Sequence, residues 1–212
     1  SKPIAVSTGN LNGNLPKIID RSAGTDYMLD QIVDESLTGI EFMLIKGNGV
    51  DDLEQPMIIA TKDNTEVYLN GETTPSIILA NAGDFAFINE SSDNYQPNSG
   101  DHRNLYITTK DPLKPLYVYQ FLGGTRSNTT PRATPGMNFI PPLSCFFQNN
   151  VNLIPTLNEI SPSDTDFTSI ILITAAKGVE VRYNGTLLTG ALDNPGTTEW
   201  ETYLIKDQNS GN

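Results

Sequence analysis

A short sequence that occurs twice constrains the fold of this chain more than any other feature. Thr65–Gly71 reads TEVYLNG and Val179–Gly185 reads VEVRYNG, 114 positions later. Each copy alternates apolar and polar residues, which is typical of a strand with one buried face. Each copy also ends in Asn-Gly, the dipeptide that favours tight hairpin turns because both residues tolerate positive φ. We therefore predict a strand that enters a hairpin turn at both places.

The similarity extends well beyond these two hairpins. Lys2–Val6 (KPIAV) is matched by Lys114–Val118 (KPLYV) 112 positions later, and RSAGTDYMLDQIV is matched loosely by RATPGMNFIPPLS, with Gly24 and Gly136 also 112 apart. PMIIATKDNTEVYLNG then matches IILITAAKGVEVRYNG at an offset of 114. Order and spacing are both kept, so the sequence indicates an internal duplication of about 112 residues.

The rest of the chain also has the pattern of strands and turns. Short β-branched and aromatic runs recur, bounded by Gly, Asn, Asp or Pro, and 14 Pro and 17 Gly leave little room for long helices. Asp26–Val33 fits either a helix or a strand. We predict an all-β fold of two sandwich-like pseudo-repeats, residues 1–111 and 112–212, packed as one unit. A single large β-sandwich or a propeller-like arrangement is the alternative.

The second repeat lacks one strand of the first. Its sequence stops soon after ETYLIK, without a counterpart of PLYVYQFL, and KPIAVST near the N-terminus is the other sequence of that type. We therefore predict that residues 2–8 pair into the C-terminal half and close the two repeats around a pseudo-twofold axis. The abrupt start and end also lead us to expect a piece of a longer chain.

Charge and hydropathy exclude two classes of partner. The chain has 13 Lys and Arg against 25 Asp and Glu, a formal net charge of −12. This sign opposes nucleic-acid backbones and anionic membrane surfaces. The longest apolar runs, such as Ser169–Ala176, are far shorter than the roughly 20 residues that span a bilayer. We predict no nucleic-acid binding and no membrane insertion.

Candidate catalytic groups are few. The chain has one histidine, His102, in a polar loop, and one cysteine, Cys145, in an apolar context typical of an inert core thiol. No GxSxG sequence is present, and the usual zinc sites need several His or Cys ligands. We predict that the chain is not an enzyme. A carbohydrate-active domain, which would need two carboxylates that face each other across a cleft, is a less favoured alternative.

Acidic residues provide one candidate metal site. Asp51, Asp52 and Glu54 follow Gly-Asn-Gly and could form an oxygen-rich turn that binds Ca²⁺. Asp164 and Asp166 form a second, weaker candidate. The alternative for both is a solvated acidic loop.

Aromatic residues and loops provide the candidate binding surfaces. Tyr117 and Tyr119 should lie on one face of a strand, either stacking on a sugar ring or packing in a core. Trp200, the single tryptophan, could be a binding anchor or a core residue. The polar stretches Ser91–Arg103 and Thr125–Pro135 are predicted to be long surface loops, where binding usually resides.

Several of these sequences together resemble a known family. The KPIAV opening with its following Gly-Asn, RSAGTDYMLDQIV, IIATKDNTEVYLNG, LANAGDFAFI, KPLYVYQFLGG and PGMNFIPPLSC resemble, in this order, the N-terminal domain of IgGFc-binding proteins. The resemblance covers about residues 2–205. Similar domains occur in large secreted or surface-attached proteins of Bacteroidota, including adhesion-type proteins exported by the type IX route.

The resemblance implies an extracellular or cell-surface, non-enzymatic interaction module within a longer protein, with a protein or glycan ligand. The single cysteine of this chain favours a bacterial relative over the animal members of the family, which combine this domain with Cys-rich modules. Fc binding is not carried over, because no binding motif of the family can be mapped onto this chain residue by residue. A structural spacer without a ligand is the alternative.

Overall fold

The computed structural model describes residues 6–13, 26–47, 54–88, 95–97, 103–122, 136–143, 149–151 and 168–208. A single 3-10 turn, Glu35–Leu37, is the one helical element in this part of the chain. The remaining elements are strands: β1 Val6–Gly13, β2 Asp26–Ile32, β3 Glu41–Ile45, β4 Pro56–Ala60, β5 Thr65–Leu69, β6 Ile77–Leu79, β7 Phe85–Phe87, β8 Gln96–Pro97, β9 Arg103–Thr108, β10 Leu116–Leu122, β11 Gly136–Phe139, β12 Thr168–Ala176, β13 Arg182–Tyr183, β14 Thr186–Leu187, β15 Leu192–Asp193 and β16 Trp200–Gln208.

Two antiparallel sheets form the main core. One has the order β11-β10-β4-β7, and the other has the order β3-β9-β5-β6, with β8 also paired to β9. Fully buried side chains from both sheets, among them Phe42, Ile58, Val67, Leu105 and Val118, form one apolar cluster. The packing is therefore sandwich-like, and the all-β prediction is confirmed. The undecided segment Asp26–Val33 is strand β2 over most of its length.

The alternation read from the sequence positions β5. Thr65, Val67 and Leu69 are buried, whereas Glu66 is exposed and Tyr68 is half-buried. Successive side chains of a strand point to opposite faces, so this pattern places one face in the core and the other outside it. Val67 is fully buried as predicted, but Val181, its counterpart, is only partly buried.

The duplication is visible in the backbone conformation of the turns. Corresponding positions of the two copies adopt the same left-handed conformation, which few residues other than Gly and Asn tolerate. Both Asn-Gly turns therefore have the positive φ that the sequence predicted. The pairs are Asn64 (φ 53°) and Gly178 (82°), Asn70 (51°) and Asn184 (48°), Gly71 (77°) and Gly185 (79°), and Gly83 (88°) and Gly196 (81°).

Strands of the second copy form a smaller sheet of the same type. β12 pairs with β16 over its full length, and β15 pairs with the other edge of β16. β13 and β14 form the VEVRYNG hairpin, where Tyr183 is opposite Thr186 across a two-residue turn. β10, which lies within residues 112–212, pairs with β4 of the first copy. The two halves thus share a sheet, in keeping with the prediction of one packed unit.

The N-terminal strand forms a hairpin with its neighbour in sequence. Val6, Ser7 and Thr8 are opposite Ile32, Gln31 and Asp30 of β2, and β2 lies against β11. Closing a short loop costs little chain entropy, which favours this local partner. Residues 2–5 lie outside the described residues. The predicted pairing of residues 2–8 into the C-terminal half stays a prediction.

Two turns from different copies meet at the junction between the halves. A Cβ atom at Gly196 would lie 2.3 Å from the backbone of Asn70 and Gly71, so only glycine fits there. The equivalent positions Gly83 and Gly185 have open space around them. Among the described residues, a Cβ atom at Gly71 of the first Asn-Gly turn would meet Gly196, whereas one at Gly185 of the second turn would meet nothing within 4 Å.

Candidate functional site

An apolar surface covers one face of the sheet β11-β10-β4-β7, and we call it the aromatic face. Cross-strand pairing places its members on the same side, because side chains opposite each other on adjacent strands share a face. Val118 and Ile58 lie on the other side, in the core. The members are Tyr117, Tyr119 and Phe121 of β10, Met57 and Ile59 of β4, Phe85 and Phe87 of β7, and Met137 and Phe139 of β11.

Burial changes across the aromatic face. Tyr119 and Phe121, near its middle, are each 5% exposed, whereas Phe85, on the edge strand β7, is 60% exposed. The predicted placement of Tyr117 and Tyr119 on one strand face, with Val118 opposite, is confirmed. Of the two alternatives for these tyrosines, burial favours packing for Tyr119. Phe85 is therefore the solvent-accessible end of the aromatic face.

Ring contacts connect the exposed end to the buried middle. The Phe85 and Phe87 rings meet edge to face with centroids 6.0 Å apart, and the Phe87 and Phe121 rings are 5.5 Å apart. Tyr119 and Phe139 form a further edge-to-face pair at 5.7 Å. Such pairs stabilise beyond simple area burial and hold ring orientations. The Phe85 ring is therefore braced on one side by the Phe87 ring.

A structured turn immediately before β7 holds Phe85 in place. The Asp84 carboxylate accepts hydrogen bonds from the backbone and side-chain nitrogens of Asn81, at 2.8 and 3.1 Å. The Asp63 carboxylate accepts from the Ala82 amide at 2.8 Å, and the Ala60 amide donates to the Asp84 carbonyl at 2.9 Å. These bonds tie the turn to the β4–β5 connection. The turn that precedes Phe85 is therefore held in place by these hydrogen bonds.

Phe85 is also a position at which the two copies differ. Asn81, Gly83 and Phe87 correspond to Asn194, Gly196 and Trp200 at an offset of 113, and Phe85 corresponds to Thr198. The shared residues serve the turn and the packing in both copies. Because a structural requirement common to both copies does not explain an exposed phenylalanine, Phe85 is the strongest candidate for binding on this surface.

A second cluster joins the two halves through Glu41 at the start of β3. Its carboxylate oxygen Oε1 accepts a hydrogen bond from the Tyr106 hydroxyl at 2.5 Å and from the Trp200 indole nitrogen at 3.2 Å. Met43, Tyr106 and Leu143 pack together there, with Trp200 against them. Of the two predicted roles for Trp200, the structure shows a packing residue at the junction.

Burial raises the pKa of Tyr106, and the hydrogen bond to Glu41 and the nearby carboxylates of Glu41 and Glu199 add to that rise. Next to this cluster, buried Asn104 donates through Nδ2 to Asn194 and, at 2.8 Å, to Thr202. Within the part of the chain that the structure describes, Asn104 Oδ1 is buried without a hydrogen-bond partner. The junction therefore combines buried polar contacts with apolar packing.

The structure gives a different setting for part of the predicted calcium site. Glu54 is fully buried; its Oε1 accepts from the Gly47 amide and, at 2.9 Å, from Gln120 Nε2, and its Oε2 lies 3.7 Å from Lys46 Nζ. Its carboxylate is thus directed to protein donors, not to an open loop. Asp51 and Asp52 lie outside the described residues, so the calcium site as a whole stays a prediction.

Other predicted site residues are only partly covered. His102, Cys145, Asp164, Asp166 and the stretch 125–135 lie outside the described residues. Of the loop 91–103, Tyr95 is buried, and the short strand β8 pairs with β9. Within the described ranges, no group of three or more His, Cys, Asp or Glu side chains could hold a metal ion, and no helix is long and apolar enough to cross a membrane.

Sequence reasoning did not identify Phe85 or Glu41 as notable residues. The alternation in DFAFIN, with Phe85 and Phe87 two positions apart, carried the signal that both rings share a face. Which of the two is more exposed depends on contacts with distant residues: the Phe87 ring packs against Phe121, 34 positions away, and Phe85 lies beyond that contact. Glu41 carried no signal, because its partners are 65 and 159 positions away.

Comparison with known proteins gives one match. A family model described as IgGFc binding protein matches residues 1–211, nearly the entire chain. No curated protein and no solved structure gives a significant match.

Proposed function

Since this chain belongs to the IgGFc-binding protein family, we propose that it is an extracellular module that binds a protein ligand through the exposed end of the aromatic face. The observation that carries the proposal is the Phe85 ring, 60% exposed and braced by Phe87. Aromatic side chains that are exposed yet held rigidly are typical anchors of protein interfaces.

The surroundings of Phe85 favour a protein over a small ligand. Ile59 of β4 and Tyr117 of β10 lie next to Phe85 on the same face and extend the apolar area around it. The region lies on sheet strands, and extended apolar surface of this kind is characteristic of protein contacts. A glycan that stacks on the ring is the competing ligand class.

The wider context forms part of the same proposal. We infer a non-enzymatic adhesion module of a larger cell-surface protein of bacterial type. The motif order, the single cysteine and the net charge of −12 support this inference. A structural spacer is the second candidate, and the closely packed polar junction between the halves favours it, because a rigid unit is what a spacer requires.

The proposal is tested by direct binding. The chain is immobilised and exposed to the Fc fragment of IgG, which the family description names, and then to arrays of extracellular proteins and of glycans. We expect at least one protein to bind. If no protein binds and no glycan binds, the spacer is the better interpretation; if glycans alone bind, the ligand class is wrong.

A matched pair of variants locates the binding surface. Phe85→Ala should weaken binding of the identified protein more than about tenfold, as truncation of an anchor residue does. Leu187→Ala, at an exposed leucine of the second copy, should leave affinity unchanged. Leu187→Ala should change the free energy of unfolding by no more than about 0.5 kcal/mol, and Phe85→Ala should lower it by about 0.5–1.5 kcal/mol, because it removes the edge-to-face pair with Phe87. Equal affinities in the two variants would exclude Phe85 as the anchor.

A further inference from the structure

The N-terminal hairpin corresponds to a hairpin in the middle of the chain. β1 pairs antiparallel with β2, as β10 pairs antiparallel with β11. β1 follows the sequence KPIA and β10 follows KP, at an offset of 112, and the glycines before β2 and at the start of β11 keep the same offset. By sequence, β1 and β2 are therefore the counterparts of β10 and β11, although their registers differ: Tyr119 lies opposite Phe139, whereas Ser7 lies opposite Gln31.

The two hairpins differ in their second neighbour. β10 also pairs with β4, which completes the sheet β11-β10-β4-β7. At an offset of 114, the counterpart of β4 is β12, and β12 pairs with β16, which begins at Trp200, the counterpart of Phe87. The register differs, because Met57 lies opposite Phe87 whereas Ile171 lies opposite Ile205. Among the residues that the structure describes, β16 is the one strand paired with β12, and β2 is the one strand paired with β1. Within the described residues, each of these two strands therefore has one edge without a partner strand.

These edges lack two features that often protect an edge strand, charged residues and proline, although β1 has an irregular register between Asn10 and Gly13. Thr168–Ala176 reads TSIILITAA and Val6–Gly13 reads VSTGNLNG, without a charged residue or a proline in either. Long, uncharged edges readily accept another strand, because their unpaired backbone groups form a template. β12 has nine residues, each of which is opposite a residue of β16, so its far edge is also regular.

The register of the first sheet indicates how these edges would meet. In that sheet Val118 lies opposite Ile58, and both are fully buried. The corresponding residues are Val6 and Leu172, which are 43% and 38% exposed. Val118 and Ile58 are thus buried side by side in the first sheet, whereas their counterparts Val6 and Leu172 are exposed on β1 and β12.

We propose that β1 adds antiparallel to the free edge of β12, with Val6 opposite Leu172, to form a sheet of order β2-β1-β12-β16. The partner of the β12 edge is thus the N-terminal strand of the same chain. In the structure β1 is paired with β2 alone, so the completed sheet is a second arrangement of the same hairpin. Backbone groups on both edges become paired, and the two exposed apolar side chains are brought together.

Disulfide trapping tests this arrangement. In a Cys145→Ser background, the pair Val6→Cys and Leu172→Cys is oxidised under mild conditions, and the product is examined by non-reducing electrophoresis and mass spectrometry. A disulfide requires Cα atoms within about 7 Å, which cross-strand neighbours satisfy. We expect a monomer with an internal disulfide.

Two further pairs act as controls. Leu172→Cys with Leu204→Cys joins residues that are opposite each other in the structure and should cross-link. Val6→Cys with Val179→Cys joins β1 to an exposed residue beyond the end of β12 and should not. If the Leu172–Leu204 pair forms its disulfide and the Val6–Leu172 pair does not, the proposal is overturned. A dimer linked through Val6 and Leu172 would overturn it too, since the strand would come from a second copy.

Hydrogen exchange gives a test that needs no substitution. Along a free edge, alternate amides point to solvent and exchange fast, whereas in an inner strand all are protected. We expect protection at consecutive amides of Ile170–Leu172 in the unmodified chain. Fast exchange at every second amide of this stretch, with slow exchange at the others, would show that the edge stays open.

Discussion

Two requirements select glycine at position 196: its left-handed backbone conformation, and the close approach of the Asn70–Gly71 backbone. Gly83 and Gly196 occupy the same turn position in the two copies, at φ 88° and 81°. A side chain at Gly83 would meet open space, whereas one at Gly196 would meet the backbone of Asn70 and Gly71. A substitution at Gly83 therefore tests only the strain of a left-handed residue, whereas the same substitution at Gly196 adds the steric clash at the junction.

We expect Gly83→Ala to lower the free energy of unfolding by about 1 kcal/mol, the strain of a left-handed alanine. Gly196→Ala should lower it by about 2 kcal/mol more, because backbone atoms cannot move aside as a flexible side chain can. Denaturant unfolding of both variants measures the difference. Equal losses would show that the junction tolerates a methyl group and that the contact is not tight.

A second residue-scale prediction concerns alkaline pH. Burial raises the pKa of Tyr106, and its bond to Glu41 adds to the effect, whereas a tyrosine in an unfolded chain has a pKa of about 10. Above pH 10 the unfolded chain loses the proton first, so this contribution to stability is complete below pH 10 and declines as pH rises further. Unfolding at pH values from 8 to 11.5 should show this decline.

Tyr106→Phe should make that decline shallower, because the variant has no phenol to ionise at this position. Some dependence should remain, since burial also raises the pKa values of Tyr117 and Tyr203. Identical slopes for the variant and the unmodified chain would mean that Tyr106 ionises in the folded state as freely as in the unfolded one.

At the scale of the strand, the two copies of the motif contribute unequally to stability. Val67 lies in the main core and is fully buried, while Val181 is only partly buried. Val67→Ala should lower the free energy of unfolding by about 2–3 kcal/mol, through lost apolar contact and a residual cavity. Val181→Ala should lower it by less than half as much. Denaturant unfolding of the pair compares them, and similar losses would contradict the observed difference in burial.

Strand positions could be read from the sequence where the signal is local. The alternation in TEVYLNG placed Val67 inside, and Asn-Gly placed the turns, because both depend on residues close together in the chain. The setting of Glu54 could not be read, since its partner Gln120 is 66 positions away and an acidic run normally indicates solvent. The exposure of Phe85 depends likewise on contacts with distant residues, which the alternation of a single strand does not encode.

At the scale of the whole molecule, the two halves are held together by several distant contacts. β10 pairs with β4, Asn104 bonds Thr202, and Trp200 bonds Glu41. Packing of this kind should make the halves unfold together. The single tryptophan lies at the junction, so its fluorescence reports on the contact between the halves, while far-ultraviolet circular dichroism reports on all strands.

We expect the two signals to follow one denaturant transition with the same midpoint. Asn104→Ala should shift both midpoints together, because the lost hydrogen bonds belong to a contact shared by both halves. A fluorescence transition at clearly lower denaturant than the dichroism transition would show instead that the junction opens first and that the halves are independent.

The buried Glu54 also makes the adjoining connection suited to protein engineering. Its carboxylate accepts hydrogen bonds from Gly47, just after β3, and from Gln120 of β10, so Gly47 and Glu54, the described residues on either side of 48–53, are held together. Lengthening a connection whose ends are already fixed reduces stability only slightly, by about 0.6 kcal/mol per doubling of length. This connection is therefore a natural graft position for a foreign epitope or a fluorescent tag, provided that the glutamate is kept.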